Sequence, residues 1–175
     1  MPDKRLSRNF FSRDTHVVAK ALLGKMLVRQ HAGENFSGRI TEVESYVGID
    51  DAACHASHGR TKRTEVMFGA AGHAYIYLIY GMYHCLNIVT EAKDFPAAVL
   101  IRALDTVTGP GRLTRALQIT RQLNGEDLTA SDRLYVIDDG WRVPAKAIIT
   151  TPRIGVAYAG KDALLPWRYV LTRNA

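Results

Sequence analysis

The stretch 72–87, Gly-His-Ala-Tyr-Ile-Tyr-Leu-Ile-Tyr-Gly-Met-Tyr-His-Cys-Leu-Asn, restricts the fold more than any other part of this chain. Tyr75 and Tyr77 alternate with Ala74, Ile76 and Leu78, and period-two alternation rich in aromatic and β-branched residues argues for a strand. Gly81 breaks the run, and Met82, Cys85, Leu86, Ile88 and Val89 resume it. Two strands about a turn near Tyr80-Gly81 make a β-hairpin, although the turn is not of the Asn-Gly type. Half of the eight tyrosines of the chain, at 75, 77, 80 and 83, fall here. A tyrosine at a hairpin tip is exposed, and an exposed aromatic is costly unless it meets something. The plain alternative is that these tyrosines are ordinary core and sheet residues.

The remaining segments are short. Asp14 is placed to cap a helix over 15–23, where Val17, Val18, Ala21 and Leu22 recur at helical spacing, and Gly24 is placed to end it. Strands are expected over 26–30 and 36–45, joined by the polar turn 31–35. In the second of these, Ile40, Glu42 and Glu44 share one parity, so Glu44 falls on a face that looks apolar. A carboxylate there needs a partner or a task, unless it lies at the strand end in solvent. The apolar strand 97–104 is interrupted by Arg102, and an arginine inside such a run pairs with a carboxylate.

Asp50 or Asp51 is placed to cap a short helix over 52–55. The polar loop 56–66 carries Arg60, Lys62 and Arg63, which either contact phosphates or are simply solvated. Gly109-Pro110-Gly111-Arg112 turns into a helix over 113–119, strands are expected over 133–137, 148–154 and 167–171, and 159–162 reads as a turn. With no repeat, no linker and no regular strand–helix alternation, the fold class expected is α+β. We expect 1–175 to form a single domain whose mainly antiparallel short strands carry a protruding hairpin.

Composition narrows the function. Hydrophobic residues make up 47% of the chain, too many for a disordered protein, yet no apolar run approaches the ~20 residues of a membrane span. The N-terminus has charge without a following apolar stretch, so no secretory signal is expected. The net charge of +6 favours polyanions, nucleic acid before acidic membrane. Two cysteines, Cys54 and Cys85, are too few for a disulfide framework and fit a reducing compartment. His55, His58, His73 and His84 fall in no ligand spacing with them, so neither metal nor cofactor is expected.

Together these segments resemble the alkyladenine (3-methyladenine) DNA glycosylase family in its compact bacterial form. The resemblance rests on Gly-Arg-Ile-Thr-Glu-Val-Glu-Ser-Tyr-Val-Gly at 38–48, Asp-Asp-Ala-Ala-Cys-His at 50–55 and Met-Phe-Gly at 67–69. It continues through Tyr-Ile-Tyr-Leu-Ile-Tyr-Gly-Met-Tyr at 75–83, Leu-Ile-Arg-Ala-Leu at 100–104, Gly-Pro-Gly-Arg-Leu at 109–113 and Arg-Ile-Gly-Val at 153–156, nearly end to end.

The resemblance implies a curved sheet like that of the C-terminal domain of formyltransferases. It implies a monofunctional enzyme that flips a damaged purine out of double-stranded DNA, cuts its N-glycosidic bond and leaves an abasic site. By position it makes Glu44 the general base, with Arg102 helping to hold the water. Tyr46, His55 and Tyr77 become the stacking residues, Asn87 the group opposing the amino substituent of guanine, and Tyr80 the wedge that fills the vacated stack. A backbone carbonyl within 154–156 is expected to complete the water site. Arg60, Lys62 and Arg63 remain the phosphate candidates. A cytoplasmic, nucleoid-associated monomer that avoids membranes is implied.

A binding module for distorted DNA or RNA, without catalysis, is the alternative. It shares the wedge and the phosphate contacts, but a buried Glu44 beside a polyanion only repels it. A tRNA-binding role by analogy with formyltransferases rests on fold alone.

Overall fold

The computed structural model describes residues 4–172. Asp14 does cap the helix predicted after it: its Oδ1 accepts from the His16 and Val17 N–H groups at 2.9 and 3.0 Å. A single turn, α1 (Arg8–Phe11), precedes that helix, α2 (Thr15–Leu22). Strands β1 (Met26–His31) and β2 (Glu34–Val47) follow, and β2 runs longer than the sequence pattern indicates. The hairpin is β3 (Ala74–Ile79) and β4 (Tyr83–Val89), leading to β5 (Ala97–Leu104) and the short β6 (Val107–Thr108). Helix α3 (Pro110–Ala116) begins with proline in its first turn, and β7 (Leu134–Ile137), β8 (Ile148–Thr151) and β9 (Arg168–Leu171) complete the sheet.

The path of the sheet is β3-β4-β5-β2-β1-β7, with every pairing antiparallel. Strand β2 is its axis. Its first half pairs with β1, and its second half pairs with β5 on one edge and β9 on the other. The expected α+β class holds.

Two apolar clusters lie on opposite faces of the sheet. Ala74 and Ile76 enter the larger one with residues of all three helices, among them Phe11, Val18, Leu22 and Leu113. Tyr75, and Tyr77 against it, belong to the smaller one with Cys54, Met67 and Phe68. The hairpin thus keeps its period of two, one face to each cluster.

Strand β2 does not keep it. Ile40 and Val43, three positions apart, both lie in the larger cluster, as do Leu104 and Ile101 opposite them. The register shifts on either side of Glu42, and this irregularity swaps the faces. The shared parity of Ile40 and Glu44 read from the sequence is therefore overturned. Glu44 is fully buried, but it lies across the sheet from Ile40, on the face that carries Tyr46.

Three further readings change. The helix expected at 52–55 is a 3-10 turn at His55–His58, and Asp51 does not cap it. Residues 159–162 sit within a longer 3-10 segment, Ala157–Leu164. The helix expected over 113–119 starts three residues earlier, at Pro110.

Gly24 ends α2 for a steric reason beyond its φ of +83°: a Cβ there would lie 2.6 Å from the Trp141 ring and 2.7 Å from Val143. Gly24→Ala should cost roughly 2–4 kcal/mol, the sum of a disfavoured backbone and an overpacked contact. Chemical denaturation of both proteins measures it; a loss of only about 1–2 kcal/mol, that of the backbone alone, would mean that the 141–143 segment moves away.

Candidate active site

On the face opposite the helices, β2, β3, β4 and β5 floor a cavity of about 470 Å³, closed by the segments around 53–67 and 154–158. That volume lies in the range of pockets that enclose a small organic ligand. Tyr46, His55, Tyr75 and Tyr77 give it aromatic walls, with Asn87, Arg102 and Tyr158 among the polar groups. The His55 and Tyr77 rings meet edge to face at 4.5 Å between centroids, and those of Tyr75 and Tyr77 lie 5.6 Å apart.

Glu44 lies directly behind this wall with no exposed surface. Its Oε1 accepts from the Ile154 N–H at 2.7 Å, and its Oε2 accepts from the Tyr46 hydroxyl at 2.7 Å. Arg102 Nη1 stands 3.5 Å from the same Oε2, looser than a charge-assisted hydrogen bond. Its Nε is bound to Glu42 Oε1 at 2.9 Å, and Arg168 reaches that oxygen at 2.6 Å. The carboxylate expected beside Arg102 is present, but Glu42 is the closer of two. At 154 the backbone group that meets Glu44 is the N–H. Burial, reinforced by the Glu44 carboxylate, raises the pKa of Tyr46 far above the usual phenol, so the hydroxyl stays a donor.

A second buried pair frames the site. Arg153 and Asp51 are joined by two bonds, 2.6 and 2.8 Å, with both side chains essentially sealed from water. Arg153 also donates to the Ser45 and Asp162 carbonyls, and its guanidinium lies between the Tyr46 and Trp167 rings at 4.8 and 4.9 Å. It thereby fixes both the ring of Tyr46 and the backbone that presents the Ile154 N–H. Arg153 and Glu42 receive no role from the sequence and Asp51 only that of a helix cap, although Arg153 offers the same signal as Arg102, a cation in an apolar β-like run. Tyr158, exposed at the lip with its hydroxyl donating to the Ala53 carbonyl at 3.2 Å, carries no such signal.

His55 Nδ1 lies 2.9 Å from the Tyr75 hydroxyl. Burial, then the charges of Arg63 and His58, lower the His55 pKa to about 4, which leaves a neutral ring against the pocket at physiological pH. A neutral ring can stack on a cationic base without like-charge repulsion. Asn87 is buried and donates from Nδ2 to the Tyr75 carbonyl at 3.1 Å.

Tyr80 stands at the hairpin tip, 84% exposed, among the residues rimming the cavity. It has φ of +53° and Gly81 follows at +68°. A non-glycine residue in this region costs about 1–2 kcal/mol, strain of the kind that collects at functional sites. Of the three loop cations, Arg60 is engaged by Glu65 and Asp94 at 2.6 and 3.1 Å, so much of its charge is already met. Lys62 and Arg63 are exposed, with Arg63 over the Tyr77 ring at 5.5 Å. Cys54 and Cys85 are buried free thiols, and among the described residues no group of three or more His, Cys, Asp or Glu could hold a metal.

A family model described as methylpurine-DNA glycosylase matches residues 9–109 and 104–175. A relative from Methanocella arvoryzae is 52% identical, covering 94% of this chain and 90% of its own length. Another from Legionella pneumophila is 51% identical over 93% of this chain and 92% of its own. A third, from an Anaeromyxobacter species, is 49% identical over 98% and 91%. All three carry the name "Putative 3-methyladenine DNA glycosylase".

The His55 environment has a pH consequence. Between about 4 and 6.5 the folded ring binds fewer protons than the unfolded one, so this group stabilises the fold above pH 6.5 and loses that contribution as pH falls toward 4. A ¹³C-detected histidine titration should place the His55 midpoint near pH 4, and Arg63→Gln should move it upward. A midpoint near 6.5 would mean that water reaches the ring freely.

Proposed function

The chain belongs to the methylpurine-DNA glycosylase family, and we propose that it hydrolyses the N-glycosidic bond of alkylated purines in double-stranded DNA after flipping the nucleotide, leaving an abasic site. Glu44 is the observation that carries this reading. A fully buried carboxylate held by an N–H, a hydroxyl and a guanidinium, directly behind an aromatic-walled cavity, suits a general base and burdens a mere DNA binder.

The extruded base stacks among Tyr46, His55 and Tyr77, whose π faces favour the positive charge of an alkylated purine. Asn87 in the cavity wall tests the purine edge. A water enters at the looser edge of the carboxylate, between Glu44 Oε2 and Arg102, as the Tyr46 hydroxyl yields its place on that oxygen. Water oxygen bonds to C1′ and its proton passes to Glu44. The C1′–N bond electrons go to the base, which leaves neutral if it was cationic, so no acid is needed at the leaving group.

Tyr80 fills the stack that the flipped nucleotide vacates. We place the protein in the cytoplasm as a monomer acting without metal or cofactor. None of the described helices is long and apolar enough to cross a membrane. Incubation with alkylated duplex DNA, followed by chromatography for free base, tests the activity directly; binding without release would favour the non-catalytic alternative.

Glu44→Gln should keep lesion binding but lower the single-turnover excision rate roughly 100-fold or more, because an amide cannot take the proton. Near wild-type turnover by a folded variant would remove Glu44 from the mechanism.

Tyr80→Ala should weaken binding to lesion duplex and slow excision from it, while excision from single strands changes little, since no gap needs filling there. Equal losses on both substrates, at matched lesion and saturating enzyme, would assign Tyr80 to the pocket instead.

A further inference from the structure

A second cavity, of about 520 Å³, runs along the free edge of β3. Lys62, Arg63 and Arg121 line it together with Asn124 and Leu78, and no carboxylate does. Arg121 and Lys62 are exposed, and among the described residues neither has an ion-pair partner. The backbone adds a donor. The Ala74 N–H leaves this edge for the Glu126 carbonyl and the Ile76 N–H leaves it for Asn124 Oδ1, both at 2.8 Å. In an antiparallel ladder alternate N–H groups point the same way, so the Leu78 N–H also points outward. No loop or side-chain acceptor among the described residues meets it. Three cations and a backbone donor without opposing acid form a site for phosphate groups in series.

Position identifies the strand. Arg63, Tyr75 and Tyr77 line this groove and the aromatic cavity alike, so the two adjoin, with the exposed Arg63 between them. A polynucleotide whose base occupies the cavity continues past Arg63 into the groove. Resting on the glycosylase reading above, we propose that the groove seats the sugar–phosphate backbone of the lesion strand beside the flipped nucleotide, through Arg121, Lys62, Arg63 and the Leu78 N–H.

Because the groove takes one strand, its contribution should persist without a complement, unlike that of Tyr80. Fluorescence anisotropy of an undamaged single-stranded oligonucleotide, and of the same sequence as duplex, reads it without any chemistry. The double variant Arg121→Gln, Lys62→Gln should bind both roughly tenfold more weakly, and the slope of log K against log salt on the single strand should drop by about 0.7 per charge removed.

One neutral methylphosphonate linkage beside the lesion should weaken the wild type and have little further effect on the double variant. The same linkage in the complementary strand should weaken both proteins alike. A loss confined to duplex would assign the groove to the complementary strand and overturn the proposal. Unchanged affinity in a variant with wild-type circular dichroism would show that no phosphate sits there, and tighter binding of the matching RNA strand would overturn the assignment to DNA. If the wild type releases no base from alkylated duplex yet shows the charge dependence, the glycosylase reading fails and a single-strand phosphate groove stands.

Discussion

A carboxylate with no contact to water must find donors within the protein, and much of this structure is arranged by that requirement at Glu44. Its partners come from three separate parts of the chain: Tyr46 two residues on in β2, Arg102 across the ladder in β5, and the Ile154 N–H from a segment far along the sequence. The last of these is held only because Arg153, its neighbour, is locked to Asp51 and clasped between Tyr46 and Trp167. Breaking the Arg153–Asp51 pair from one side would leave a buried charge uncompensated, typically at a cost of about 3–5 kcal/mol. It would also release the donor that holds Glu44. The same bonds therefore serve stability and the residue proposed as general base.

The irregularity in β2 and β5 is what lets one strand serve both purposes. Before Glu42, inward residues such as Ile40 pack beneath the helices; after it, Val43 does, and Glu44 turns to the cavity. Strict alternation would have put Glu44 into the larger apolar cluster, where no donor waits. Glu42, Arg102 and Arg168 occupy the break, and their ion pairs satisfy charge where regular pairing is interrupted. The hairpin works by the opposite means. Its alternation is unbroken, so Tyr75 and Tyr77 reach the cavity while Ala74 and Ile76 stay beneath, and the strain is concentrated in the tip at Tyr80.

A good part of this was legible. The α2 cap, the hairpin, the apolar β5 and the pairing of Arg102 all follow from local pattern, because each depends on residues a few positions apart or on a charge that needs a partner. The resemblance to known glycosylases brought Tyr46, His55 and Tyr77 together, and the cavity does join them. What stayed hidden depends on distance in sequence. Asp51 reads as a helix cap until Arg153, 102 residues away, claims both its oxygens. Arg60 reads as a free cation until Glu65 and Asp94 engage it.

The sequence by itself determined the strand periodicities, the α+β class, the family and the side chains able to bind a cationic base or take a proton, since these are properties of residue type and short-range spacing. Tertiary structure alone decided which face Glu44 takes, because a register shift changes parity without changing a residue. It also decided which cations remain available to phosphate, because that is settled by the carboxylates folded against them. The groove beside β3 belongs to the same class of fact: Lys62 and Arg121 lie 59 positions apart, and only the edge of a strand brings them to one surface.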